Sequence, residues 1–288
     1  MYDLFHRIFI RTMGYRLLVF SMLLMLLSPL AVAEEMGADD QVIARILDRS
    51  GINQQFLQLP KILRMQLAQQ PPPIAFSDAR EFTEIVVSAV DPDKMQGDMT
   101  RYLRAHYEDS RYRKFLSLLE EPLVKKMTAM ENAANAPESQ RKMMQKANAF
   151  MSRIPPKRVA LLREIDQAIK GAEFMVALNV KEFQTLTNAL NPLLPEGQQV
   201  SKEQLESMSR EIQAQSLYPG QQQMVLQMAW AYQGATDEEL QRYLKTYRSD
   251  IGQWAVKLLM NATLAVFDGA LERISTQIDL KILNDRST

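Results

Sequence analysis

Between Thr236 and Phe267 apolar residues return every three or four positions, at Leu240, Tyr243, Leu244, Tyr247, Ile251, Trp254, Leu258 and Ala262. That spacing stacks side chains along one side of a helix, so the stretch reads as a helix, or as a helix pair bent near Ser249-Asp250. Thr236 with Glu239 three residues on is a capping-box start. Arg242, Lys245, Arg248, Gln253 and Lys257 fall mostly on the other side and form its wet face. A helix so one-sided has nothing of its own to bury against, and the rest of the chain must cover it.

The remaining segments offer the same kind of cover. After a short acidic stretch, Glu34 to Asp40, that is expected to fray, Val42, Ile43, Ile46 and Leu47 mark a helix stopped at Gly51. Phe56, Leu59, Leu63 and Leu67 mark a second, which Pro60 should bend. Pro71-Pro72-Pro73 reads as an extended connector, and Ser77 or Asp78 as the cap of a helix bearing Phe82, Ile85, Val86 and Ala89. Lys94 to Tyr107 is the next helix. Ser110 then caps one carrying Tyr112, Phe115, Leu116, Leu119, Leu123 and Met127, with a kink expected at Pro122.

Asn132 to Gln145 is polar and reads as a hinge. Pro155-Pro156 opens a helix whose apolar face, Val159, Leu162, Ile165, Ile169, Ala172 and Val176, predicts about six turns. Asn191 to Gly197 reads as a loop, Ser201 with Gln204 as a second capping box, and Tyr218-Pro219-Gly220 as a break before Met224, Met228 and Trp230. No segment sustains period-two alternation, so the fold class is all-α, a bundle of amphipathic helices.

The chain also resembles itself. Tyr112, Phe115, Leu116, Leu119, Pro122 and Leu123 match Leu240, Tyr243, Leu244, Tyr247, Asp250 and Ile251 at a constant offset of 128 positions. Two related helical halves are expected, 34–135 and 136–288, behind a leader at 1–33. In that leader Arg7, Arg11 and Arg16 precede the apolar run Leu17 to Leu27. Pro29 then breaks the run, and Ala31-Val32-Ala33 is a small–x–small cleavage site. Met13 is an alternative start that keeps Arg16 and the apolar run. A periplasmic or secreted bacterial protein, with cleavage near Ala33 and no membrane span afterwards, is the expectation.

Charge and cysteine narrow the chemistry. The chain carries 34 basic and 34 acidic side chains, and removing Arg7, Arg11, Arg16 and Asp3 leaves 31 basic and 33 acidic. That balance argues against a dedicated nucleic-acid binder. Cysteine is absent, which excludes disulfides, thiolate catalysis, Cys-based metal sites and a lipoprotein anchor.

Thr236-Asp237-Glu238-Glu239-Leu240, followed by Tyr247-Arg248-Ser249-Asp250-Ile251-Gly252-Gln253, resembles the signature of a family of exported bacterial helical domains of unknown function. Members typically carry Thr/Ser-x-Glu-Glu-Leu and then aromatic–x–Ser–Pro–x–Gly–Gln. Here Asp250 replaces the Pro, while the first half keeps Pro122 but has Val124 at the Gly position. The likeness covers about the last sixty residues; it implies export and a helical fold, and no activity.

No catalytic, cofactor or metal-ligating set emerges. His106 is the one histidine beyond the leader; it sits at a helix end, with no Gly-x-Ser-x-Gly elbow to partner it. Asp91, Asp93 and Asp98 lack the ligand spacing of a calcium loop and read as turn residues. Glu238-Glu239 reads as a capping pair, and Glu120-Glu121, neighbours on a helix, point too far apart for acid–base work. Met127, Met130, Met143, Met144, Met224 and Met228 fill the core or line an adaptable groove. Tyr247, Gly252, Gln253 and Trp254 form the candidate interaction face. These residues predict a non-catalytic envelope interaction or binding protein, with a groove or patch offered to an envelope protein or an apolar ligand; the alternative is a carrier of a lipid or other apolar ligand in a Met-rich cavity.

Overall fold

The computed structural model describes residues 37–69, 79–191, 197 and 199–287, and among these there are helices and no strand. The leader, the Pro71–Pro73 connector, the caps Ser77 and Asp78, and most of the 191–197 loop lie outside the described residues.

Helix α1 (Ala38–Arg49) begins within the acidic stretch expected to fray, with Asp39 and Asp40 in its first turn. Carboxylates there face the positive end of the helix dipole. Gly51, at φ 72°, turns the chain into α2 (Ile52–Gln69), which continues through Pro60. α3 (Ala79–Ala89) leads to α4 (Pro92–Ala105), where Asp91 accepts the Lys94 N–H at 3.1 Å. α5 (Asp109–Leu119) starts one residue before the expected cap, Ser110, with no side-chain cap. Pro122 does not kink a helix; it opens a new one, α6 (Pro122–Asn135), at the position where its missing N–H costs nothing.

The expected hinge over 132–145 is also helical. α6 runs to Asn135, and Pro137 starts α7 (Pro137–Met151) after the extended residue Ala136. The six-turn helix expected from Pro156 is divided instead. α8 (Pro156–Ile169) ends at Lys170, left-handed at φ 55°, and α9 (Gly171–Leu190) follows. No break forms at Pro219. α10 (Lys202–Ala231) runs through it, with Gly220 close enough to Met175, Val176 and Ala172 of α9 for the pair to hold the segment in line. Leu217, Tyr218 and Pro219 themselves lie exposed, and only Gly220 is buried. A 3-10 turn (Tyr232–Gly234), α11 (Asp237–Arg248) and α12 (Asp250–Ser287) complete the chain. Both expected capping boxes are formed: Ser201 with Gln204, and Thr236 with Glu239.

The same pairings occur twice. α1 packs on α2, α4 and α5, as α8 packs on α9, α10 and α11. α2 lies against α4 as α9 lies against α10, and α5 meets α6 as α11 meets α12. The last helix of each set crosses over: α6 packs on α10, the 3-10 turn and α11, while α12 packs on α3, α4 and α5 as well as on α9. One continuous core results, drawing Ile43, Met99 and Phe115 from the first half and Leu162, Tyr243 and Ala262 from the second. Fully burying a large aliphatic or aromatic side chain contributes about 1.5–3 kcal/mol, so this shared core is the main source of cohesion.

Polar ties hold the crossover in register. Arg273 of α12 donates to the Ala89 carbonyl and to Asp98, both at 2.9 Å, and Lys181 of α9 meets Asp268 at 2.7 Å. Asp250–Ile278 is long and apolar enough to cross a membrane, yet 44% of its most apolar window is buried within the protein.

Candidate functional site at the joint of the two halves

The α11–α12 corner follows from three small or polar residues. Ser249 leaves α11 with extended backbone, donates its hydroxyl to the Thr246 carbonyl at 2.6 Å and accepts the Gly252 N–H at 3.1 Å. One side chain thus closes one helix and caps the next. At Gly252 a Cβ would stand 2.4 Å from the Thr246 carbonyl oxygen and 2.7 Å from the Tyr247 Cα, so only glycine permits the close approach. Gln253 donates to two helix-end carbonyls, those of Ala168 at 2.8 Å and Tyr247 at 2.6 Å, tying α8 to the corner.

Trp254 is half-buried against the first half. Its ring stands edge-on to Tyr112 and Phe115, at 5.5 and 6.4 Å, with the Arg111 guanidinium 5.8 Å from it. Tyr247 is buried. The four residues expected to present an interaction face, Tyr247, Gly252, Gln253 and Trp254, are brought together, but their contacts are with the chain's own helices.

A cleft opens beside this corner, where the two helix joints meet. Ser50 and Ile52 flank the α1–α2 joint, Ile169 and Gly171 flank the α8–α9 joint, and Tyr247 and Leu259 are among the residues that close it. Its volume is about 80 Å³ and its wall is mostly apolar. At the second joint the buried Asp166 accepts the Ala172 N–H at 2.9 Å, and so caps α9 from within α8. Burial pushes its carboxyl up, against the pull of that N–H. Gly171 leaves no room for a side chain between Asp166 and the Met224 methyl.

Behind Tyr247 lies a polar cluster sealed from solvent. Glu131 of α6 is 3% exposed, and its Oε1 accepts the hydroxyls of Tyr232 and of Tyr243, the latter at 2.9 Å. The rings of Tyr232, Tyr243 and Tyr247 follow one another edge to face at 5.9 and 4.9 Å. Glu131 Oε2 has no hydrogen-bond partner among the described residues. Burial pushes the Glu131 carboxyl up to about 8, only partly offset by the two hydroxyls, so it is mostly protonated at neutral pH. Burial likewise raises Tyr232 and Tyr243 well above the ordinary phenol range. Arg158 supports the cluster from outside by donating to the carbonyls of Tyr232 and Ala235, at 2.7 and 2.9 Å, while pairing with Asp237. Chemically the cluster ties α6 to the 3-10 turn and α11, and its three members are all buried.

The other singled-out residues serve local structure. His106 ends α4, stacks on Tyr102 and directs Nδ1 at the Tyr102 carbonyl, 2.8 Å away. Glu239 caps α11 and pairs with Lys126 at 2.6 Å, while Glu120 pairs with Arg45. Met127, Met143, Met224 and Met228 are buried and Met130 is packed against the core; Met144 is 61% exposed. Met224 is also part of the cleft wall. Glu131 and Asp166 were missed in sequence. The signal for Glu131 was a carboxyl at core spacing, after Val124 and Met127 and before Ala134.

No family model, curated protein or solved structure matches this chain.

Proposed function

We propose that this is an exported envelope protein that acts non-catalytically by binding a partner protein, with the cleft at the joint taking one apolar side chain of that partner. The cleft's size is the observation that carries the reading. About 80 Å³ is well below the roughly 300–1,000 Å³ of small-molecule sites. It is also below the roughly 150 Å³ that accommodates benzene in an engineered cavity. A lipid tail does not fit that space, which favours partner binding over the carrier reading. Glu131, whose carboxyl burial pushes up to about 8, faces tyrosines inside the core, and that placement favours a structural over a catalytic part for it.

We further infer that the two halves arose by duplication. Asp109 and Asp237, and again Pro122 and Asp250, open helices the same 128 positions apart. The left-handed residues Gly51 and Lys170 occupy equivalent joints. The resemblance to exported helical domains supports the envelope location.

A photo-crosslinking side chain in place of Gln55, on the cleft wall, tests the binding reading in the native envelope. One dominant protein adduct, lost when Ala255→Phe fills the cleft, is the expected result. A lipid adduct would transfer the assignment to the carrier, and no adduct above that of an exposed control position would refute both.

A further inference from the structure

The overall neutrality of the chain hides a local imbalance. From Ser139 to Arg163 there are seven basic residues, Arg141, Lys142, Lys146, Arg153, Lys157, Arg158 and Arg163, and no acidic one. This stretch covers α7, which packs only on α6 and α10 among the stronger helix pairings, and the first turns of α8. Met143 and Phe150 anchor α7, the first buried and the second edge-on to Trp230 at 5.1 Å.

Some of the charge is spent locally. Arg141 and Lys142 share Glu138, Arg158 pairs with Asp237, and Lys157 lies within electrostatic reach of Glu238. Glu164, just past the stretch, is taken by Arg248. Lys146, Arg153 and Arg163 are exposed and form no ion pair among the described residues. On α7, Lys142 and Lys146 stand one turn apart on one flank, and Arg153 follows in the turn just past the helix end, so the free cations Lys146 and Arg153 bracket the last turn of α7.

We propose that this flank docks the protein on an anionic phospholipid surface. It deepens the envelope reading, on which it rests for a membrane within reach. A row of cations without an aromatic or aliphatic centre is a poor match for a protein interface, whose core is depleted in lysine and built on apolar anchors. A sheet of laterally mobile phosphates needs only charge at turn-length intervals. The exposed Met144 projects from the opposite flank, so docking is electrostatic and not by insertion.

Flotation of the full chain with vesicles of phosphatidylcholine containing 30% phosphatidylglycerol, against phosphatidylcholine alone, tests it. Each cation near such a surface strengthens binding about fivefold. The Lys146→Glu, Arg153→Glu double variant therefore loses at least about 25-fold on anionic vesicles, with binding to neutral vesicles unchanged. Salt at 0.5 M removes the same difference. Lys245→Glu, a control at an exposed position of α11, leaves the preference intact. Equal binding to both vesicle types, or an anionic preference that survives the double variant, overturns the proposal. Failure here with a protein adduct still captured at Gln55 leaves the partner-binding reading standing.

Discussion

Glu131 departs far from ordinary carboxyl chemistry, and the consequence is measurable. The folded carboxyl titrates at about 8, against an ordinary value near 4.5. Between those two pH values the folded protein holds a proton that the unfolded chain has released. Stability therefore falls as pH rises from about 4.5 to about 8 and levels off above. The loss by pH 7 is on the order of 3 kcal/mol, at 1.36 kcal/mol per unit. Glu131→Gln keeps an acceptor for both tyrosines and removes the proton, so urea midpoints across this range should flatten in the variant and exceed the parent at pH 8. A parent curve without that slope would mean that Glu131 stays ionised. Two glycines give a second test of opposite signs. Gly252→Ala should destabilise by about 1–3 kcal/mol, because its Cβ meets backbone. Gly97→Ala, with nothing within 4 Å inside α4, should stabilise by roughly 0.5–1 kcal/mol in the same thermal melts.

At the scale of the element, periodicity and caps were legible and interruptions were not. The apolar faces of α1, α8 and α11 follow directly from spacing, as do the boxes at Ser201 and Thr236, because both are local properties of the chain. Thr236→Ala should accordingly cost about 1 kcal/mol, read as a lowered denaturation midpoint with an unchanged slope. Pro122 and Pro219 are ambiguous from the sequence, since whether Pro opens a helix or lies inside one depends on what packs beside it. Lys170 ends a helix with no glycine at that position, and the apolar pattern runs on past it to Val176. The reason lies in Asp166, which caps the following helix from six residues upstream of Ala172. The four-residue patch around Trp254 was legible as special, but its contacts within the chain were not: its partners Tyr112, Phe115 and Ala168 lie 85 or more positions away.

At the scale of the whole molecule, α6 and α12 each pack on helices from both parts of the chain. Residues 34–135 and 136–288 produced separately should each lack a cooperative thermal transition, and mixing them should restore one, as followed by circular dichroism. A half that melts sharply alone would contradict the shared core. The crossover also sets an order of events during synthesis. A chain made from its N-terminus leaves α3, α4 and α5 with an oily side bare until the stretch that begins at Asp250 arrives, since Ser88 finds Gln277 across 189 positions. The nascent first half is thus an unfinished surface for most of its making, and whatever escorts it must hold on until the final helix is delivered.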